Sequence, residues 1–474
     1  MSEQTTTSFR QELRPSRLIP TLTAGLIIGV LEVVLATSFA ALVFRGDAAV
    51  HLPIAIGLSL FAGMAILTIV AFGTSLPGVV GSVQDVTAVI LGLITGAITA
   101  QTPGALHHTF LTLVAVIIVS SLVTGVVLLL LGRLRLGNLV RFVPYPVVGG
   151  FLAGTGWLLF KGGIGILAGR ALSLQAIHRF VRPDPLLKWV PGVLFAVLLL
   201  LLLRRFRHFL IIPAAVALGV TAFYVVLFAT GRSVLTAKIH GFLLGPFPYG
   251  ENLWEPATFD ALAEADWGIV LGQAPGILAV PLVAILALLL NSSGIELTRR
   301  QDLDINRELR AAGLGNVAAS VVGGIPGFQT LSLTALAQRA GTSSRLVGVV
   351  AAGVCGATLF FGASTLSLFP RMVLGGVVVL LGLSFLVDWV LDARTRMPRR
   401  DYLVVLLILV SVAALGFLPG VAVGLVAAIA LFVVDYSRID VVKHTLSGAT
   451  LHSSVDREPR QNETLRREGG SIHI

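Results

Sequence analysis

GGIPGFQTLSLTALAQRAG, running from Gly323 to Gly341, decides how the rest of this sequence is read. It lies in a strongly apolar half of the chain, yet glycine, proline, glutamine, serine and threonine crowd it. An ordinary membrane-spanning helix would bring those groups into hydrocarbon. Non-helical backbone at membrane depth is tolerated only where protein buries it or where it lines a cavity. A second stretch of the same kind, GTSLPGVVGSVQDVTAVILG from Gly73 to Gly92, stands in the first half. The pair predicts a substrate site near the bilayer midplane.

Composition sets the class around these two stretches. Of 474 residues, 55% are hydrophobic and 12% charged, and the mean hydropathy is +0.93. Soluble domains carry about 25% charged residues, so the chain reads as a polytopic membrane protein. The net charge of +10 does not point to nucleic acid, because the cations sit in short gaps between apolar runs, as they do in cytoplasmic loops. The single cysteine, Cys355, excludes an intrachain disulfide. The first apolar run reaches about Phe44, too long for a signal-peptide core, and is read as the first span.

Apolar runs recur at lengths that suit helices crossing a core of about 30 Å. Spans are predicted near 20–44, 52–72, 84–99, 109–132, 144–165, 188–203 and 209–229, then 274–298, 308–322, 332–341, 346–363, 371–390, 401–416 and 419–436. With the N-terminus inside, the predicted inner loops collect Arg133, Arg135 and Arg141; Arg204, Arg205 and Arg207; Arg299, Arg300, Arg307 and Arg310; Arg339 and Arg345; and Arg394, Arg396, Arg399 and Arg400. One outer segment, Lys161 to Lys188, breaks the rule. The loop from Gly231 to Gly272 is net acidic and carries Trp254 and Trp267, which suit an outer interface. Both ends are therefore expected in the cytoplasm, with the protein in the cell membrane (the inner membrane in a bacterium).

Seven spans per half force the halves into opposite orientations, the inverted repeat of many secondary transporters. LPGVVGSVQDVTA in the first half echoes IPGFQTLSLTA in the second, each at the third span of its half. The third and tenth spans are short, about 24 Å and about 15 Å at 1.5 Å per residue. Each is read as a half-helix preceded by an extended segment, the two N-termini meeting near the middle. Each N-terminus offers about half a positive charge and unsatisfied N–H donors, which suits an anion. Beyond Ser437 the chain turns polar and ends in SIHI, read as the opening of a strand with nothing after it.

The second half, from about Asn291 to Ser437, resembles the SulP family of anion transporters, relatives of solute carrier family twenty-six. The resemblance is carried by NRELRAAGLGNVAASVVGGIPG, FPRMVLGGVVVLLGLSFLVDWV and DYLVVLLILV, with PYPVVGGFLAGTG in the fifth span and GTSLPGVVGSVQDV before the third. It implies an all-α membrane fold of fourteen segments in a 7+7 inverted repeat (uracil-permease-like), with short strands before segments 3 and 10. Residues 1–19 would be a cytoplasmic N-terminal segment and 20–437 the transporter domain. Spans 1–4 and 8–11 would form a moving core, and spans 5–7 and 12–14 a gate. Residues 438–474 would lead into a missing or truncated STAS domain, and a homodimer is expected. The family's proline–glutamine pair in the first span is Val34 and Leu35 here. Its Ser-Arg-Thr opening the tenth span is Ser332, Leu333 and Thr334, so a positive charge is absent. This marks a divergent branch, some of whose relatives are associated with basic amino acids.

Glu32 falls halfway along the first span, where a charge costs about 2.5–3.5 kcal/mol and demands a cavity or a partner. It reads either as a proton or cation site or as a structural hydrogen bond between helices. Asp85 opens the third span and reads as a dipole-favoured carboxylate or as a coupling group. If ionised, it offsets the two half-positive termini; if protonated, an anion could bind with the proton. Candidate substrate contacts are Ser82, Gln84, Asp85, Phe328, Gln329, Thr330, Ser332, Leu333 and Thr334, with helix capping the plainer role for the hydroxyls. The resemblance adds Phe39, at an aromatic position of the family's site, and Asn291 and Ser292, where the family often has an acidic residue. Glu296, four residues before Arg300, reads as an ion pair. His107 and His108 lack the neighbours of a metal site, and no HExxH or GxSxG motif supports an enzyme.

The sequence thus predicts a carrier of a small solute without a cofactor, by alternating access. A small anion (sulfate, bicarbonate or a dicarboxylate) stands first, with proton coupling through Glu32 and Asp85. A cationic or zwitterionic amino acid stands second, and an anion channel of the same fold third.

Overall fold

The computed structural model describes residues 15–102, 106–137, 145–169, 182–206, 210–244, 253–254, 256 and 262–416. It also describes 419–420, 422–424, 426–427, 430, 445–447, 458–468 and 471–473. Helices stand at the first thirteen predicted spans. They are α1 (Pro15–Val43), α2 (Leu52–Gly73), α3 (Asp85–Gln101), α4 (Leu106–Arg133), α5 (Tyr145–Ala168), α6 (Pro183–Arg205) and α7 (Ile211–Ala229) in the first half. The second half has α8 (Ala274–Arg299), α9 (Ile305–Ser320), α10 (Leu331–Arg339), α11 (Leu346–Phe361), α12 (Arg371–Leu386) and α13 (Arg399–Leu415). Among the described residues, eight helices are long and apolar enough to cross a membrane, and α3 and α11 are shorter apolar helices. The fourteenth predicted span, 419–436, lies mostly outside the described residues, as do His107's side chain, Arg141 and Arg207.

Two short strands interrupt the helices where the polar stretches predicted a break. β1 (Gly81–Val83) pairs antiparallel with β2 (Gly327–Gln329), with Ser82 opposite Phe328. β1 leads straight into α3 and β2 into α10. These half-helices have 17 and 9 residues, so their lengths are about 25 Å and about 14 Å. The echo between the halves is therefore structural, but its register differs from the motif match. Gly81 takes the place of Gly327, three residues later than Pro-Gly against Pro-Gly would put it. The cause is the turn at Gly78, whose φ of +82° is matched not at Gly327 but at Gly323, +83°: the turn glycine stands three residues ahead of β1 and four ahead of β2.

Close glycine crossings fix the directions of the helices. A methyl group on Gly156 would lie 2.9 Å from the Gly382 carbonyl oxygen, and one on Gly163 3.1 Å from that of Gly375. As α5 rises in number α12 falls, so these helices, seven apart in the chain, run oppositely. Gly125 and Gly132 of α4 meet Gly313 and Asn306 of α9 in the same antiparallel sense. Gly25 and Gly29 of α1 meet Val350 and Val354 of α11 in parallel, as elements ten apart should when each crosses once. Opposed halves of this kind make an all-α polytopic membrane fold with inverted repeats.

Packing gathers these helices around the strand pair. α4 and α2 lie along α9, while α1 and α2 lie along α11, and β1 and β2 are held among α2, α8 and α9. α5 lies along α12 and α13, with α6 against α12.

Several boundaries correct the sequence reading. Asp304 accepts the Arg307 N–H at 3.1 Å and so caps α9 three residues early. Arg307 and Arg310 consequently lie in its first two turns rather than in a loop. A π-helical stretch, Val387–Asp392, continues α12. In the tail, described as a separate unit, Ser471–His473 pairs antiparallel with Thr445–Ser447. The final strand therefore has a partner, 26 residues earlier in the chain by Thr445 to Ser471, which its own short sequence does not disclose.

Candidate functional site

The strand pair and the two helix starts beside it are assembled by polar groups from five helices, α1, α3, α8, α9 and α10. Glu32, fully buried in α1, accepts the Ser82 hydroxyl at 2.6 Å and the Val83 N–H at 3.0 Å. Gly63 of α2 leaves the space: a methyl there would stand 2.9 Å from Glu32 Oε1. The structural hydrogen bond weighed for Glu32 is present, and it joins a helix to a strand rather than two helices. Phe39, two turns along α1, is buried and so lies on the Glu32 side of that helix.

On the other strand, Asn316 of α9 holds Gly327 at both ends of its peptide frame. Its Nδ2 donates to the Gly327 carbonyl and its Oδ1 accepts the Gly327 N–H, each at 2.8 Å. Gln84 folds its side chain back over the ladder, donating to the Phe328 carbonyl at 3.2 Å and the Ser82 carbonyl at 3.3 Å. Thr87 donates to the Pro326 carbonyl at 2.8 Å. Thr334 accepts the Val80 N–H at 3.1 Å. Gln84 and Thr334 are thus spent on holding backbone.

The two half-helices begin differently. At α3, Asp85 is half-buried and accepts the Val86 N–H at 2.7 Å, so a carboxylate occupies that N-terminus. At α10, the Thr330 N–H donates to the Val80 carbonyl at 2.9 Å and the Leu331 N–H to Asn291 Oδ1 at 2.8 Å. Thr330 gives no side-chain cap, and the first intrahelical bond is Thr334 N–H to Thr330. Helix geometry then leaves the N–H groups of Ser332 and Leu333 open at this terminus. Ser332 is exposed and exchanges a hydrogen bond with Thr330 at 3.0 Å. Leu333, where the resemblance leads one to look for arginine, is buried.

Gln329 donates to the Ser292 hydroxyl of α8 at 3.0 Å, while its buried Oε1 has no partner among the described residues. Phe328 is fully buried at the centre of β2. The structure therefore brings Ser82, Gln84, Asp85, Phe328, Gln329, Thr330, Ser332, Leu333 and Thr334 to one strand pair, with Glu32, Asn291 and Ser292 against it. Neither Glu32 nor Asp85 has a cationic partner among the described residues. Glu296 accepts the Leu303 N–H at 3.0 Å, closing the α8–α9 turn.

Two structural residues went unread in the sequence. Asn316 was one polar side chain inside an apolar run, and that anomaly was the available signal. Glu308 of α9 accepts from the Thr74 hydroxyl at 2.8 Å and the Ser75 N–H at 2.7 Å. It ties the end of α2 to α9 just ahead of the β1 segment. Among the described residues no His/Cys/Asp/Glu group of metal-binding size occurs.

Comparison with known proteins places these features. The sulfate permease family matches residues 18–408. The vacuolar basic amino acid transporter VSB1 of Saccharomyces cerevisiae is 26% identical over 364 residues, 75% of this chain and 35% of that protein. A probable sulfate transporter of Mycobacterium tuberculosis is 27% identical over 323 residues, 67% of this chain and 55% of its own length. The chain thus spans between about a third and about half of these curated relatives. Among solved structures, the transmembrane domain of a cyanobacterium bicarbonate transporter, BicA, superposes with a TM-score of 0.61 at 19% identity, covering 87% of this chain and 97% of that one. The structure of SLC26A9 gives 0.68 at 18%, covering 94% and 69%.

Proposed function

We propose, from the premise that this chain belongs to the sulfate permease family, that it is a secondary transporter of a small anion. The observation that carries this reading is the open N-terminus of α10. There helix geometry leaves the Ser332 and Leu333 N–H groups open beside a strand pair buried within the helices, and the exposed Ser332 hydroxyl is bonded to Thr330. Such a terminus favours negative charge without any arginine. Sulfate, bicarbonate or a dicarboxylate fits that chemistry, and sulfate and bicarbonate are named for relatives.

Transport would proceed by alternating access. The group α1–α4 with α8–α11, which carries both half-helices, would move against α5–α7 with α12, α13 and the fourteenth span. Support comes from the packing: each group has its main helix–helix contacts within itself. Glu32 and Asp85 would couple a proton to the anion, being carboxylates at β1 and at the start of α3 without a cationic partner among the described residues. We place the protein in the cell membrane with both termini cytoplasmic, on the arginine pattern of the loops, and as a homodimer on the family resemblance.

A second reading, a cationic or zwitterionic amino acid, rests on three observations. These are the two unpaired carboxylates, the unpartnered Gln329 Oε1, which suits a solute bearing N–H groups, and the likeness to a basic amino acid transporter. Flux into liposomes separates the readings. Saturable uptake of labelled sulfate or bicarbonate, accelerated by the same anion on the far side, is expected. Uptake of arginine or lysine instead would select the second reading, and large single-channel currents would overturn a carrier altogether.

A further inference from the structure

A cavity of about 410 Å³ lies well away from the strand pair, at the end of the bundle where α6 and α12 begin and α7 ends. That volume is within the roughly 300–1,000 Å³ range of small-ligand pockets. Its cations come from three separate elements: Lys188 near the start of α6, Arg232 after α7, and Arg371 at the start of α12. No aspartate or glutamate lines it among the described residues. Lys188 Nζ sits 5.9 Å from the centre of the Phe242 ring. The Arg371 guanidinium lies beside the backbones of Gly169 and Gly241.

The remaining wall is mostly apolar, with Phe223, Val226 and Met372 contributing, and includes Thr230, Thr236 and His240. Helices α6 and α7, which flank the cavity, are the least covered candidate spans, with 17% of each apolar window buried. Val226 itself is 61% exposed. In a bilayer those faces meet acyl chains, so the cavity opens towards lipid on one side and presents three cations on the other.

We propose that this cavity binds an anionic phospholipid, its phosphodiester held among Lys188, Arg232 and Arg371 and its acyl chain lying along Phe223 and Val226. Charge complementarity selects an anion, and the apolar wall between lipid-facing helices selects one with a chain attached. The site is separate from the transport site and does not depend on which solute is carried.

The test uses the full chain in an uncharged detergent, with dioctanoyl phosphatidylglycerol as probe and bound lipid counted by native mass spectrometry. Dioctanoyl phosphatidylcholine is the neutral control and glycerophosphate the headgroup without a chain. Phosphatidylglycerol should bind more tightly than phosphatidylcholine. Lys188→Gln and Arg371→Gln should each weaken it about fivefold, as expected for one cation near an acidic lipid surface, with phosphatidylcholine binding unchanged. The charge-keeping pair Lys188→Arg and Arg371→Lys should retain it, which separates loss of charge from loss of fold. Equal binding of the two lipids, or glutamine variants that keep the wild-type preference, would overturn the proposal. So would glycerophosphate competing as well as the lipid, which would make the cavity a pocket for soluble anions.

Discussion

The Ser82 hydroxyl stands 2.6 Å from Glu32 Oε2, tying β1 to the middle of α1 through a carboxylate with no exposed surface. The Val83 N–H takes the other oxygen, so two donors converge on a group that can only accept when ionised. In Glu32→Gln the amide oxygen can keep the Val83 N–H while the NH₂ group donates to the Ser82 hydroxyl, which turns to the Val83 carbonyl at 2.9 Å. Charge-assisted bonds, about twice as strong as neutral ones, are thereby lost, and thermal unfolding should register the loss. Ser82→Ala removes the hydroxyl from the same network. The double variant should therefore lower the melting temperature by less than the sum of the single changes. Additive shifts would show that the contact contributes nothing to the folded protein.

Gly327 makes the second test of the ladder. A Cβ there would overlap the carbonyl oxygen of Ser82 on the facing strand, and backbone on both sides cannot yield cheaply. Gly327→Ala should abolish transport and sharply reduce the folded yield on size-exclusion chromatography. Gly353 of α11 is the control, because a methyl there meets nothing within 4 Å. Gly353→Ala should be stable, and by about 0.5–1 kcal/mol more so than wild type, the usual gain inside a helix. If both variants behaved alike, the close approach of the strands would not be what selects glycine at 327.

The same two glycine-rich stretches explain what could be read beforehand. Glycine, proline and hydroxyl residues inside apolar runs signal a broken span directly, so the two breaks and the pair of half-helices were legible. The register was not. Pro77–Gly78 and Pro326–Gly327 match as letters, yet Gly78 makes a turn while Gly327 sits in a strand. Backbone conformation, not residue type, separates them. Asn316 escaped for a related reason: its partners at β2 are the backbone groups of Gly327, which carry no mark in the sequence, while Glu308's partners, Thr74 and Ser75, lie more than 230 residues earlier in the chain. The same holds for the cavity at Lys188, whose cations are distant along the chain and read singly as loop charges.

Asn316 yields a third prediction. Its side chain satisfies both the N–H and the carbonyl of Gly327, and the residue is fully buried. Asn316→Ala strands both groups, at about 1–3 kcal/mol for each unsatisfied group. Asn316→Asp keeps an acceptor for the N–H but sets a carboxylate oxygen against the Gly327 carbonyl. Thermal unfolding should therefore rank wild type above both variants, and substrate-induced stabilisation should vanish in both, since β2 leads into the α10 terminus. A variant that kept full substrate-induced stabilisation would uncouple Asn316 from the site.

Asp85→Asn tests the charge of the cargo. Asp85 lies at the start of α3, at the opposite end of the antiparallel ladder from the start of α10. Thr330 bonds beside Val80 and Gln84 beside Pro326, so about six residue steps, or about 20 Å at strand spacing, separate Asp85 from Leu331. At an effective dielectric of about 20, a unit charge at that distance contributes about 0.8 kcal/mol, or about fourfold in affinity. Asp85→Asn removes the negative charge while keeping the shape and an acceptor oxygen for the Val86 N–H. Above the titration range of the carboxylate, sulfate or bicarbonate should then stabilise the variant at roughly fourfold lower concentration than wild type. At low pH, where the wild-type carboxyl is itself neutral, the two proteins should converge. A cationic solute reverses the sign: arginine or lysine would bind the variant more weakly, again with convergence as pH falls. Thermal shift titrations of both proteins at several pH values distinguish the two outcomes. An Asp85→Asn protein matching wild type for every solute and pH would remove Asp85 from the site.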